Sequence, residues 1–464
     1  MALGKRFNAF GQGLHRLACI FPCNIVAFGL SNFTDHFDES ARKAVTEDET
    51  VSGWSVGLVL FGICLTLPTL YTGAITSENL GFIGTAQAVG LASLVLAVMS
   101  IPAAIVGAQT RFSSYLIYLF VFGKKGSNYV NALLGLTLLG WFAVTAGFFG
   151  ETLHIAFIEF FGASPPIWLL TLISSALIIV TTIFGFKAID RLALFAVPLL
   201  IIFLIYVSNL SLGGTNLSAV LEIEGSDPEY FTTAVSTIIG SLIVGVVLMP
   251  DLARYARSTK DCITASVFGN GVGNSFAMMI GVIPAMVTEL LDPMAYMIAL
   301  GLVGSSFAIL VFATWTTNSV NLYSSTLAIA VIRAKTQEWK LAITCGALGT
   351  ALAMIGITEY FVDFLEWLGV IVPPVAGIYL TDYFFLKQKN YSFDLQNRIP
   401  DYDRAALIAW IVATIISIVA FVNEISLTTI PSLDALLVTS PIYLLCRHAW
   451  PSVLPRHEVE DLCE

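Results

Sequence analysis

Long apolar stretches alternate with short polar connections along almost the whole chain. Windows of about 18 or more mostly apolar residues begin near positions 55, 82, 128, 166, 191, 231, 263, 303, 340, 362, 405 and 430, and at a helical rise of 1.5 Å per residue each approaches the thickness of a hydrocarbon layer. The pattern predicts twelve transmembrane helices, of which the fourth and the last are the shortest. Between Gly301 and Ile332 one run interrupts the apolar pattern: Ala313-Thr314-Trp315-Thr316-Thr317-Asn318. Polar groups at membrane depth need a task or a partner.

Composition agrees with this reading. The chain has 464 residues, 57% hydrophobic and 12% charged, with mean hydropathy +0.84, which no water-soluble core of this size requires. The fold class is therefore an all-α polytopic membrane protein embedded in a lipid bilayer.

Charge orients it, because cytoplasmic connections collect Lys and Arg. Lys5, Arg6, Arg16, Arg42 and Lys43 precede the first span, and Arg111, Lys124 and Lys125 lie between the second and third. The same parity holds for Lys187 and Arg191, for Arg254, Arg257 and Lys260, and for Arg333, Lys335 and Lys340. It continues through Lys387, Lys389, Arg398 and Arg404 to Arg447 and Arg456, so the opposite connections carry none of the 22 basic residues. Both termini are expected in the cytoplasm, and the location is a plasma membrane, the bacterial inner membrane. The connection from Leu212 to Tyr230 holds Glu222, Glu224, Asp227 and Glu229, so the net charge of −10 reflects acidic outer loops and no nucleic-acid partner.

The apolar segment Leu17 to Leu30 is too short to cross and contains Pro22; if it did cross, every later loop would invert its sign. Residues 1–50 read as a cytoplasmic tail, 51–400 as a ten-span core with repeats at about 51–212 and 228–390, and 401–464 as two peripheral spans with a short tail. The seven cysteines, Cys19, Cys23, Cys64, Cys262, Cys345, Cys446 and Cys463, are odd in number and avoid the outer loops, so no disulfide framework is implied.

Helix breakers begin to separate channel, receptor, enzyme and transporter. The first span is interrupted around Pro68 and Gly73, and the sixth carries Gly240-Ser241, Gly245 and Pro250. Two broken helices five spans apart point to inverted repeats around a midplane site. The simpler alternative is that Gly and Pro only permit close packing or a kink.

In the eighth span Ala313, Thr316 and Thr317 stand at i, i+3 and i+4 and share one helix face. Neutral hydroxyls and freed backbone carbonyls suit a sodium ion, and an unwound stretch from Gly62 to Leu65 is the candidate source of the carbonyls. The alternative here is that the threonines merely bond back to their own helix. Trp315 need only pack.

Seven motifs then stand in order: Val59-Leu60-Phe61-Gly62, Tyr71-Thr72-Gly73, Phe122-Gly123-Lys124-Lys125-Gly126-Ser127, Gly140-Trp141-Phe142, Gly273-Asn274-Ser275, Trp315-Thr316-Thr317-Asn318 with Leu322-Tyr323, and Pro373-Pro374-Val375-Ala376-Gly377 with Asp382-Tyr383. Together, over roughly residues 50 to 445, the chain resembles the nucleobase:cation symporter family of purine and cytosine permeases. The resemblance implies a leucine-transporter-like fold of two inverted five-helix repeats plus two peripheral helices. It implies a sodium site built from the backbone oxygens of Gly62, Leu65 and Ala313 with the hydroxyls of Thr316 and Thr317. It also implies a stacking ring at Trp141 and a polar contact at Ser241. The chain departs from the family pattern at Leu138, where a base-reading Gln is expected, and at Leu242, where a second aromatic is expected. Thr145, Asn318 and Asn321 remain as polar readers of a small heterocycle of the cytosine, purine, hydantoin or allantoin class.

Glu151 and His154 lie near the outer end of the third span, as a gate, a proton relay or an interfacial pair at i and i+3. Glu78 reads as an outer vestibule residue. Asp251, Arg254 and Tyr255 read as an inner latch or as topology determinants. The expectation is a sodium-coupled secondary transporter working by alternating access, with proton coupling as the alternative. A membrane enzyme or sensor is disfavoured, because no nucleophile and base set, phosphate loop or metal cluster is visible. No cofactor beyond the coupling ion is expected.

Overall fold

The computed structural model describes residues 44–184, 186–213, 217–332, 336–386, 391 and 399–451. Most of the proposed N-terminal tail, with Leu17–Leu30, Cys19 and Cys23, lies outside the described residues, as does Cys463.

Helix occupies every one of the twelve predicted segments. The first span is Gly53–Cys64 followed by residues 67–80; the helix Leu67–Thr110 changes direction at Gly81 (φ 67°, ψ −175°), and residues 82–110 form the second span. That conformation is open only to glycine. The third to fifth spans are Ser127–Phe161, Ile167–Phe184 and Phe186–Leu212. Phe231–Val247 and Met249–Ala253 make the sixth. Thr259–Ser266, a π-helical turn Val267–Gly273 and Asn274–Thr288 make the seventh. Val303–Ile332 and Glu338–Met354 are the eighth and ninth. The tenth is Phe361–Ile371, Pro373–Thr381 and Asp382–Leu386, and the last two are Arg404–Val422 and Pro431–Ala449.

The spans sort into two packed groups. The first, second, sixth and seventh pack on one another, as do the third, fourth, eighth and ninth, while the fifth bridges the seventh and eighth. Hydrogen bonds join spans within each group: Asn274 Nδ2 donates to Ser93 Oγ at 2.9 Å in one, and Ser325 Oγ to the Gly135 carbonyl (2.8 Å) and Trp315 Nε1 to Thr181 Oγ1 (3.1 Å) in the other. Trp315 therefore packs against the fourth span.

The first group is tied at both ends. At the basic end Val51 pairs with Ala256 in a parallel β-bridge, with Val51 N–H donating to the Tyr255 carbonyl at 2.8 Å. There Gly53 N–H also donates to Asp261 Oδ1 at 2.7 Å. At the opposite end Gly81 bridges Glu224, and the Ser226 and Asp227 amides donate to the Glu78 and Asn79 carbonyls at 3.1 and 2.9 Å.

The tenth to twelfth spans share a buried polar network. Asp382 accepts from Tyr443 (2.6 Å) and Tyr391 (2.7 Å), while Arg447 donates to Asp403 (2.9 Å) and to the Tyr443 hydroxyl and lies 3.8 Å from Asp382. Asp403 also caps the eleventh span through the Ala406 amide (3.0 Å).

Candidate functional site

The break in the first span falls at Leu65 (φ −82°, ψ 76°) and Thr66 (φ −128°, ψ 158°), two residues before the expected Pro68. The Thr66 hydroxyl caps the new helix, accepting from the Thr69 amide at 3.4 Å. Pro68 sits in that helix's first turn, where its missing N–H leaves no bond unmade. Gly73 breaks nothing; it lies inside the helix because a Cβ there would meet the Met278 carbonyl oxygen at 2.6 Å. The sixth span behaves alike: it leaves helical geometry at Leu248 (φ −89°, ψ 7°), whereas Gly240 remains helical and is small because the Leu365 backbone lies against it. At both glycines the close-packing alternative holds, because close approach and a break select the same residue.

Leu65 and Ala313 belong to one buried apolar cluster, with Leu70, Val144 and Phe148. Of the five implied sodium ligands, Gly62 is still helical, and its carbonyl accepts the Leu65 amide at 3.2 Å. The Thr316 hydroxyl donates to the Ala313 carbonyl at 2.9 Å, the local bond that the simpler reading requires. The Thr316 oxygen keeps its lone pairs, whereas the Ala313 carbonyl also accepts the Thr317 amide of the continuous helix and would serve a cation only as a shared acceptor. Thr317 is half-buried on the same face. The donors are neutral oxygens, which suits a monovalent hard cation.

Trp141, Leu138, Ser241 and Leu242 are all half-buried although they lie deep in the spans. Among the described residues, three partly buried apolar side chains pack against both of the larger cores: Trp141, Leu242 and Phe364. All three keep part of their surface open while packed between the two cores. The Trp141 ring stands nearly perpendicular to Phe364 (centroids 5.6 Å apart, 78°) and to Phe361 (6.4 Å, 76°). Tyr71 of the first span adds contacts to Phe148 at 4.9 Å and Phe361 at 6.1 Å. Ser241 spends its proton on the Ile238 carbonyl at 2.7 Å.

Ser325 at Gly135 and Phe307 at Phe160 (5.7 Å) fix the third and eighth spans as antiparallel neighbours. Stepping two turns from Ser325 then brings Asn318 level with the turn Trp141–Thr145. Asn318 is fully buried, and neither its Oδ1 nor its Nδ2 has a protein partner; Thr314 Oγ1 and Ser319 Oγ beside it are also unpaired. Thr145 is buried and Asn321 half-buried.

Phe361, Phe364 and Thr66 were missed by sequence reasoning. The available signal was Gly140: a Cβ there would meet the Phe364 ring at 2.7 Å, so the glycine before Trp141 makes room for an aromatic neighbour.

The carboxyl of Glu151 accepts from Thr358 at 2.8 Å, and His154 Nδ1 lies 2.7 Å from the Pro165 carbonyl. The expected pairing of Glu151 with His154 is not formed, because each is engaged by a different neighbour. Glu78 is exposed at the acidic end, as a vestibule residue would be. Asp251 accepts from the Ser114 amide at 2.8 Å, and the Arg254 guanidinium lies over the Tyr255 ring (5.0 Å to the centroid).

Two packed groups of long apolar helices, one of them holding the broken first span, define a multi-pass membrane protein. Residues 44–441 match the family described as permeases for cytosine/purines, uracil, thiamine and allantoin, and the chain belongs to that nucleobase:cation symporter family. The cytosine permease of Escherichia coli (strain K12) is 28% identical over 372 residues, which is 80% of this chain and 85% of the relative. The hydantoin permease of Microbacterium maritypicum is 26% identical over 298 residues, 58% of this chain and 60% of the relative. Among solved structures, the inward-facing conformation of Mhp1 superposes with TM-score 0.77 at 19% identity, covering 88% of this chain and 94% of that one. Its closed conformation with bromovinylhydantoin bound gives 0.72, again at 19% identity, over 87% and 94%. The fold is thus the leucine-transporter-like arrangement of helices.

Proposed function

We propose that this chain is a sodium-coupled symporter of a small nucleobase-like or ureide heterocycle, working by alternating access in a bacterial inner membrane with both termini in the cytoplasm. In this reading residues 51–400 are the transport core and 401–464 the peripheral spans and tail. The observation that carries it is the break at Leu65, which shares a buried cluster with Ala313. A cation held there by Gly62, Leu65, Ala313, Thr316 and Thr317 links the two groups of spans beside Trp141. Sodium that binds one arrangement of the groups better than the other shifts their populations, and by reciprocity raises substrate affinity in that arrangement. Trp141 stacks the ring, worth about 1–3 kcal/mol, and Asn318 and Ser241 read its polar edge.

The test is uptake by proteoliposomes with external sodium replaced by choline at fixed pH. Uptake is expected to collapse, and Thr316→Ala with Thr317→Ala to remove the sodium stimulation while leaving expression intact. Full sodium dependence in the double variant would overturn the site. Proton coupling is the second reading, favoured by the enclosed carboxyl of Glu151 on the third span; it predicts undiminished uptake in choline.

A further inference from the structure

We propose that Arg111, at the basic end of the second span, is a positioning residue for coupling. It holds the inner half of the first span to the first group, so that the ion cannot leave for the cytoplasm unless the whole group moves. The inference rests on the sodium site proposed above.

The break at Leu65 and Thr66 leaves Gly53–Cys64 as a helix of its own. Two of the proposed cation ligands, Gly62 and Leu65, stand at its end. If this helix tilted alone about the break, their oxygens would part from Ala313, Thr316 and Thr317, and sodium would escape with no substrate crossing. Along its length the helix lies on the seventh span: a Cβ at Gly57 would meet the Ala265 Cα at 3.3 Å, and the Phe61 ring stacks on Phe268 (5.6 Å, 26°). At its free end the tie is polar.

There, three successive carbonyls of the turn from the sixth to the seventh span are all engaged. The Arg111 guanidinium donates through Nη1 to the carbonyls of Arg254 (3.1 Å) and Ala256 (2.5 Å), and the Val51 amide donates to the one between them, on Tyr255 (2.8 Å). The Arg111 carbonyl in turn accepts the Val45 amide at 3.1 Å. One residue thus grips the segment that enters the first span and the turn that leaves the sixth. Its backbone is left-handed (φ 60°), a conformation unfavourable to a side chain with a Cβ. A residue that only sets topology needs a positive charge and no fixed geometry; Arg111 has the geometry as well. Lysine would keep the charge but lacks the planar fork.

The test measures entry of radioactive sodium into proteoliposomes of the full chain with no heterocycle present. Wild type is expected to be tight. Arg111→Lys is expected to raise this substrate-independent entry by about fivefold or more, and Arg111→Ala to raise it further. A disulfide across the β-bridge, from Val51→Cys with Ala256→Cys, is expected to return the Arg111→Lys protein to wild-type tightness, and reductant to reopen the leak. A protein that is merely destabilised would not respond in that way. Three results overturn the inference: free sodium entry through wild type, an Arg111→Lys protein that melts normally and stays tight, or a leak that the disulfide leaves unchanged. Should neither Arg111 variant fold, Val51→Pro, which removes the amide donor to Tyr255, is expected to leak in the same way, and tightness there overturns the proposal. If wild-type uptake of cytosine, uracil, hydantoin or allantoin is undiminished in choline, the sodium reading falls and this inference with it. If uptake depends on sodium while the variants stay tight, this inference alone falls. If none of the four is carried, the heterocycle reading falls, and sodium entry still decides the role of Arg111.

Discussion

Two sets of buried polar groups occupy this molecule, and they differ in how completely they are satisfied. Around Asp382, Tyr391, Asp403, Tyr443 and Arg447, donors meet acceptors and opposite charges sit within 4 Å. Along the eighth span, Thr314, Asn318 and Ser319 are as deeply buried, yet their polar atoms face no protein partner. An unpaired amide in a low-dielectric interior costs on the order of 1–3 kcal/mol, so it persists where something else comes to bind it. The satisfied network fastens the peripheral spans to the core; the unsatisfied one holds Asn318, which the proposed function assigns to the substrate.

Several substitutions break or sharpen that contrast. Arg447→Met leaves Asp382 and Asp403 buried without their cation, a loss of about 3–5 kcal/mol. It should appear as lost monodisperse protein and a large fall in melting temperature in detergent, with or without substrate. Asn318→Leu should do the reverse: it removes an orphaned amide, so ligand-free stability should hold or rise, while heterocycle affinity falls at least about tenfold. A destabilised, binding-competent Asn318→Leu protein would show that this amide is structural after all. Glu151→Ala removes the link to Thr358 and is expected to slow uptake several-fold with sodium dependence retained; loss of pH dependence with uptake otherwise intact would instead favour proton coupling. The smallest effect is expected from Lys125→Ala, whose partner Asp401 lies 2.6 Å away with both side chains more than half exposed. The Asp401 carboxylate raises the Lys125 pKa. That contribution is fully present below the ordinary lysine value and is lost only as pH rises through the raised one. Melting should therefore be unchanged across neutral pH.

The positions of the helices were legible because lipid imposes long apolar runs, and helix fills each of them. Thr316, Thr317 and Asn318 of the eighth span stand out for a related reason, lying where lipid would take Leu or Val. The location of the breaks was legible only in part: the unwound stretch expected at Gly62–Leu65 reaches the break at Leu65, but Pro68 and Gly73 lie within helix. Gly73 and Gly240 look like hinges but serve close packing, whereas the break at Leu65–Thr66 has no glycine or proline of its own and is set by the cap at Thr66 and the proline after it. Phe364 was invisible for a different cause. Aromatic residues are ordinary in membrane helices, and only the tertiary meeting of the third and tenth spans separates this one from its neighbours. The engagements of Glu151 with Thr358 and of His154 with Pro165 are likewise tertiary, which is why spacing along one helix suggested the wrong partner.

The β-bridges that tie the first span at both ends bear on how the chain is made. At the basic end the contact from Gly53 to Asp261 joins residues 208 positions apart, and at the other end Ser226 reaches back 148 positions to Glu78. During synthesis the first span must therefore wait in the bilayer, broken and with both ends unpaired, until the sixth and the start of the seventh have been inserted. A nascent chain arrested before residue 224 is expected to expose the 78–81 turn to protease, and one extended past residue 261 to protect it.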